Sequence, residues 1–336
     1  MKVGIFLTSQ HPPGSDMVAA LEGQYAMTRL ARDRGWDAVA TGQHFLSEGV
    51  RQLQLIPLLG RLAAEAGEMT GIAGILLAGL HNPVELAECV ASLDAIWRGN
   101  FIFGVGLGYR DAEFDAFNVP RGQRVRRFEQ CLELVKRLWT EDDITAETDV
   151  CTLRGVTMTC RPVQKPHPPI WVAANTDAAI RRAARIGDTW FINPHATTSA
   201  IAAQMTVYRD ELTRLKKPFP RTLPFFKEIF CAKDRQTALE MAGPYLGEKY
   251  KVYASWGQDR VLPGDDTFAR PLDDLLRDRF ILGSPEDCWE QLRPCWEQIG
   301  ANFLVLRTHW SGMPVGHALS SMRLISDALL PALRKL

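Results

Sequence analysis

The sequence predicts an α/β fold, a single (β/α)8 TIM barrel running over residues 1–336, and three observations carry that prediction. Short β-rich runs alternate with longer runs of helical period, eight times, from one end of the chain to the other. The β-rich runs are apolar throughout rather than alternating, which marks strands buried on both faces of a parallel sheet. No linker divides the chain, so the units close into one barrel rather than two doubly wound domains.

Each element has a local reason. Val3–Leu7 is an apolar strand, and Met17–Arg34 carries apolar residues at helical spacing up to a terminating glycine, Gly35. Asp37–Ala40 is strand two, Leu53–Ala66 a Leu/Ala-rich helix, and Gly71–Leu77 a fully apolar strand three. Pro83 opens a helix to Trp97, since proline suits a first turn. Phe101–Leu107 is strand four, and Arg121–Trp139 a long helix with one charged side. Residues 142–169 break the rhythm with Thr/Val alternation and a proline-dense tail, reading as a β-hairpin insertion before strand five, Ile170–Ala173. Helix Asp177–Ile186, strand Thr189–Ile192, helix Ala200–Leu215, strand Leu223–Ala232 and a helix from Asp234 to about Ala254 follow. A second insertion spans about 255–284, before helix Pro285–Ile299, strand Phe303–Arg307 and helix Ala318–Leu333. Its segment Ser255–Asp273 has no apolar periodicity and carries Gly257, Pro263 and Gly264 amid Asp259, Arg260, Asp265 and Asp266. It reads as a rim lid on the strand-seven loop, with Met241–Ala254 belonging to the same insertion.

Composition excludes several classes. Lys plus Arg and Asp plus Glu are each 39, so the chain lacks the basic footprint of a nucleic-acid binder. The longest apolar run, Gly71–Leu80, is about half of what a membrane span needs. The N-terminal MKVGIFLTSQ is too short in its apolar part for a signal peptide. A soluble, cytoplasmic protein without membrane contact is expected. Seven cysteines, an odd number with no CxxC, read as structural thiols and give no metal site.

In such barrels chemistry sits at the C-terminal ends of the strands. Five of seven histidines (His11, His44, His81, His195 and His309) fall there, as a site needing proton carriers or hydrogen-bond donors requires. Gly104-Val-Gly106-Leu-Gly108 does not complete a dinucleotide fingerprint, because Tyr109 stands at the final glycine position and no helix opens directly behind it. Its glycines suit close backbone approach to something flat or bulky. Ala173-Ala174-Asn175-Thr176-Asp177 lies between strand five and its helix, where capping residues and free N–H groups suit either a phosphate or an ordinary N-cap.

Several blocks, in order along nearly the whole chain, carry a resemblance. These are Ala31-Arg-Asp-Arg-Gly-Trp-Asp-Ala-Val-Ala-Thr-Gly-Gln-His-Phe45, Leu80-His-Asn-Pro-Val-Glu-Leu-Ala-Glu88, and Gly99–Gly108 with Glu113-Phe114. Arg161-Pro-Val-Gln-Lys-Pro-His-Pro-Pro-Ile-Trp-Val-Ala173, Leu282–Asp287 and Leu329–Ala332 complete the set. Together they resemble the bacterial luciferase-like flavin monooxygenases. The resemblance implies a reduced-FMN-dependent monooxygenase that inserts one atom of dioxygen into a small organic substrate through a flavin peroxide. A separate NAD(P)H:flavin reductase would deliver the flavin, and a homodimer is expected. A deazaflavin-dependent dehydrogenase of the same family, or a non-catalytic flavin-binding protein, are the alternatives.

Residue by residue, the resemblance places Gly74 and Ile75 at a cis-peptide bulge under the flavin ring. It sets Gly106 facing that ring, and Ala174, Asn175 and Thr176 around the FMN phosphate. The family's usual Glu-His-His at the end of strand two reads Gly42-Gln43-His44 here. Gln43 hydrogen-bonds but cannot titrate, so His44 is expected to carry the catalytic contact with Gln43 orienting it. Phe45, His309, Trp310 and Trp256 are expected to line the substrate side. Leu107 stands where luciferase has an arginine, which moves the positive partner of the phosphate elsewhere, with Arg110 a candidate.

Overall fold

The protein is described by a computed structural model covering residues 1–264 and 266–336, so Asp265 of the expected lid lies outside the described residues. Eight parallel strands close into a barrel: β1 (Lys2–Phe6), β2 (Ala38–Thr41), β3 (Thr70–Ala73), β4 (Phe101–Val105), β5 (Ile170–Ala174), β6 (Thr189–Ile192), β7 (Pro224–Cys231) and, later in the chain, β9 (Phe303–Arg307). β1 pairs with β9 on one side and β2 on the other, and a β6–β7 pairing completes the ring. The expected (β/α)8 barrel is the fold observed.

Strand parity explains two separate cores. Phe6, Ala38, Ala40, Ile72, Trp171, Phe191, Phe226 and Phe303 form one buried cluster, while their strand neighbours join the larger cluster under the helices. Successive side chains point to opposite faces, so the first cluster fills the barrel interior. Phe6 stacks on Phe226 at 4.4 Å between ring centroids, and this aromatic layer floors the C-terminal mouth.

The helices follow sequence logic. α1 (Met17–Asp33) is capped by Asp16, α2 (Leu55–Ala66) follows β2, and α3 (Pro83–Ile96) begins on Pro83 behind the Asn82 cap. α4 (Arg124–Thr140), α5 (Asp177–Ile186) with its Thr176 cap, α6 (Thr198–Arg214) and α7 (Arg235–Ser255) continue the outer ring. Ile144–Glu147 and Thr152–Val156 pair antiparallel, forming the hairpin expected between α4 and β5.

Three elements differ from the sequence reading. The run expected as strand three stops at Ala73, where a cis Gly74–Ile75 peptide interrupts it before Leu76 bridges to Val105. The helix expected over Pro285–Ile299 is cut at Pro294, which lacks an N–H to continue it, leaving α8 (Pro285–Leu292) and a four-residue turn. An unanticipated ninth strand, β8 (Phe280–Gly283), extends β7 beyond the barrel. β7 is eight residues long; its first half pairs with β9, while Glu228–Cys231 pairs with β8.

The region between β7 and β9 is packed rather than loose. Phe230, Leu246, Tyr250, Leu262, Phe268, Leu275 and Phe280 form a core of their own with Trp310. Apolar residues spaced irregularly over 255–276 escape a periodicity test yet converge in space. The chain ends with α9 (Val315–Leu324) and a last turn to Leu333. Among the described residues no helix is long and apolar enough to cross a membrane.

Candidate active site

A cavity of about 400 Å³ opens at the C-terminal mouth of the barrel, floored by Phe6, Phe191 and Phe226. Of the residues expected to form a site, Gln43, His44, Gly74, Ile75, Gly106, Ala174, Asn175 and Thr176 all line it. They come from the ends of four strands, so only closure of the barrel brings them together.

His44 is held from behind. Its Nδ1 lies 3.0 Å from Glu113 Oε1, and that carboxylate, 1 % exposed, also accepts from the Phe45 N–H at 2.9 Å. An ionised carboxylate only accepts, so Nδ1 carries the proton and Nε2 is left as the free nitrogen. Arg110 balances the buried charge at 3.4 Å from Glu113 and bonds the Phe45 and Leu46 carbonyls. Glu113 was visible in the sequence only as part of the Glu113-Phe114 block; its role needs the loop after β4 folded against the loop after β2. Gln43 is structural in its contacts: Oε1 accepts from the Leu77 N–H at 3.1 Å, tying the β2 end to the segment beyond Ile75.

The β5 turn brings a helix start and basic side chains to one end of the cavity. Thr176 Oγ1 accepts from the Ala179 N–H, and Ala178 and Ala179 of the first turn of α5 face the cavity. Arg121, Arg124 and Arg182 line the same end. Arg182 is paired with Glu129 at 3.1 Å, while Arg124 has no carboxylate partner among the described residues. Helix N–H groups and an unneutralised guanidinium together suit a phosphate. Arg110 pairs with Glu113 and does not line the cavity, whereas these three arginines do. Periodicity could place Arg124 and Arg182 on helices, but it could not bring α4 and α5 together beside the β5 turn.

The glycines also serve close packing within the protein. A Cβ at Gly104 would fall 1.9 Å from the Ala73 carbonyl oxygen, so this glycine permits β3 and β4 to approach each other. A Cβ at Gly106 would fall 2.5 Å from Ile75 Cδ1, so Gly106 makes room for the side chain that covers it. Both demands come from the protein itself.

Opposite the phosphate end lies a buried ionic group. Glu228, fully buried, accepts from Arg307 Nη1 at 3.2 Å, Trp310 Nε1 at 3.0 Å and Tyr250 Oη at 2.8 Å, and pairs with Lys249. Burial raises its carboxyl, but Lys249 and Arg307 outweigh that and bring it down to about 2. Burial lowers Lys249 to about 7. His195 lines the cavity in contact with this group, and burial, then Lys249, drives it well below the usual imidazole range. Glu228 and Arg307 sit in register on adjacent strands. In the sequence each looked like a lone charge inside an apolar strand.

The four residues expected on the substrate side part company. Trp310 is buried behind Glu228, and His309 is buried with Nε2 on the Met313 carbonyl at 2.8 Å; neither lines the cavity. Phe45 packs on Phe117 at 4.6 Å, also outside it. Trp256 reaches the rim, edge-on to His44 at 5.3 Å and under the Arg110 guanidinium at 4.1 Å, while its neighbours Gln258 and Val261 line the cavity. The chain beyond β9 turns away because the His309 carbonyl accepts from Thr8 Oγ1 while its Nε2 bonds the Met313 carbonyl.

The family model for luciferase-like monooxygenases matches residues 1–302. This chain belongs to that family. Among family relatives, a phthiodiolone/phenolphthiodiolone dimycocerosates ketoreductase of Mycobacterium kansasii is 30% identical over 259 residues, 68% of this chain and 69% of the relative. An FMNH2-dependent dimethylsulfone monooxygenase of Pseudomonas putida is 29% identical over 185 residues, 54% of this chain and 47% of the relative. The crystal structure of monooxygenase RslO1 from Streptomyces bottropensis matches with a TM-score of 0.87 and 25% identity over 99% of both chains.

Proposed function

We propose that the protein is a reduced-FMN-dependent monooxygenase that uses dioxygen to oxygenate a small organic substrate, with reduced flavin supplied by a separate NAD(P)H:flavin reductase. The observation that carries this reading is one cavity holding both an anion cradle at the β5 turn and the His44–Glu113 pair. The naming of the dimethylsulfone relative and of RslO1 as monooxygenases supports it.

The residues present fit FMN. Asn175, Thr176, Arg121, Arg124 and Arg182 would hold the phosphate, and the Gly74–Ile75 segment, with Ile75 seated against Gly106, would take the ring. When bound, reduced FMN supplies the electrons that activate dioxygen. The chain's part is positioning and exclusion. His44, oriented by Glu113, offers Nε2 as a hydrogen-bonding and proton-carrying atom on the reacting face. Trp256 and Val261 shield that face from water. The test is aerobic incubation with a flavin reductase, NADH and FMN across ketones, terpenes and aromatics under 18O-dioxygen. A product gaining one labelled oxygen supports the reading; consumption of NADH with hydrogen peroxide as sole product throughout the panel counts against it.

The ketoreductase relative, which matches two thirds of both chains, favours carbonyl reduction as a second reading, for which a reduced deazaflavin would be the hydride donor. There His44, as an imidazolium held by the Glu113 carboxylate, would give its Nε2 proton to the forming alkoxide. Anaerobic conversion of a ketone to an alcohol with reduced deazaflavin distinguishes it.

A further inference from the structure

The ionic group at the β7–β9 side of the cavity has a feature that flavin binding at the β5 turn leaves unused. Arg307 lines the cavity, and among the described residues its one hydrogen bond runs from Nη1 to Glu228. Its Nε is buried without an acceptor. The guanidinium carbon lies over Phe6, 4.4 Å from the ring centroid, and 5.2 Å from that of Phe226. Glu228 cannot serve it further, since Lys249, Trp310, Tyr250 and Arg307 Nη1 already occupy both carboxylate oxygens. One carboxylate thus faces two basic groups beside the cavity, and with Lys249 protonated the excess is positive.

We propose that Arg307 is a specificity-determining residue that receives an anionic head group, a carboxylate or sulfonate, of the organic substrate. This rests on the oxygenase reading for the site but concerns what the site selects. The charge is supplied by this chain, and an oxyanion in the cavity brings what the group lacks: a further acceptor for the guanidinium and neutralisation of the surplus. Round the barrel, β9 is three strands from the β5 turn by way of β7 and β6, so this anion site and the phosphate cradle are separate. Between them lies the apolar layer of Phe6, Phe191 and Phe226, which suits a hydrocarbon or aromatic body.

Benzoate, benzenesulfonate and the neutral isostere benzamide are titrated calorimetrically into FMN-saturated protein. The anions should bind at least tenfold more tightly than benzamide. Arg307→Gln should erase that preference, and Arg307→Lys, which keeps the charge without the fork, should retain part of it. Circular dichroism and a melting curve establish that each variant is folded. Should Arg307→Gln fail to fold, Glu228→Gln provides the opposite sign: it raises the surplus and should tighten benzoate severalfold with benzamide unmoved. The proposal is overturned by equal binding of benzoate and benzamide to the wild type. It is also overturned by an undiminished preference in Arg307→Gln, or by FMN competing with benzoate, which would assign Arg307 to the flavin. Binding is read without turnover, so anion selection with no oxygenation of any bound anion would leave this site standing and remove the monooxygenase reading alone.

Discussion

Replacing Glu113 tests whether the His44 side of the cavity works as one unit. In Glu113→Ala the Nδ1 proton of His44 and the Phe45 N–H lose their acceptor, and Arg110, 5 % exposed, loses its counter-charge. Removing one partner of a buried ion pair costs about 3–5 kcal/mol. Arg110 keeps two carbonyl acceptors and the face of Trp256, which places the expected loss near the lower end, about 3 kcal/mol. Glu113→Gln retains an acceptor at Oε1 and sets its amide nitrogen where Oε2 has no partner, so it should lose about 1–2 kcal/mol. Urea unfolding gives both values. Turnover then separates positioning from folding. His44→Ala should lower oxygenated product and raise hydrogen peroxide release while FMN affinity changes less than threefold. Glu113→Gln should lower kcat at least tenfold and shift its pH profile, and the double variant should be no worse than His44→Ala. Wild-type stability in Glu113→Ala, or independent multiplication of the two kinetic losses, would refute the account.

Other outcomes follow from single features. Thr176→Asp places a carboxylate at the start of α5 and should weaken FMN at least tenfold, about 1.4 kcal/mol, by fluorescence titration; an unchanged dissociation constant moves the phosphate elsewhere. His309 is lowered to about 4 by burial, so between pH 6.5 and 4 the unfolded chain binds a proton that the folded chain does not. Stability should therefore fall as pH drops through that window, by about 1.4 kcal/mol per unit for this group, and His309→Gln should flatten the curve. Parallel curves for the two proteins would contradict it. Limited proteolysis should cut the 256–264 stretch at the rim in the free protein and be suppressed by FMN with substrate; cutting insensitive to both would deny it a lid role.

How the cavity forms shows where sequence reading stops. The eight barrel strands, the hairpin after α4, and the rim location of His44, Gly74, Gly106 and Asn175–Thr176 were legible, because each follows from local period, capping chemistry or a short block of residues. β8 was missed because four apolar residues beside a polar stretch give no periodic signal, and they become a strand only by pairing with the overlong end of β7. His309 and Trp310 follow β9 as rim residues should, but the chain turns them behind Glu228 and Met313.

The sequence by itself determined which face of each element is apolar, how many βα units exist and where each ends, since those are properties of neighbours along the chain. Only the tertiary structure decided the pairings: His44 with Glu113, Glu228 with Lys249 and Arg307, and the three arginines with the β5 turn. Charges cannot be buried singly, so each such group is fixed by partners 20 to 80 positions away, and that complementarity is defined only once the barrel has closed.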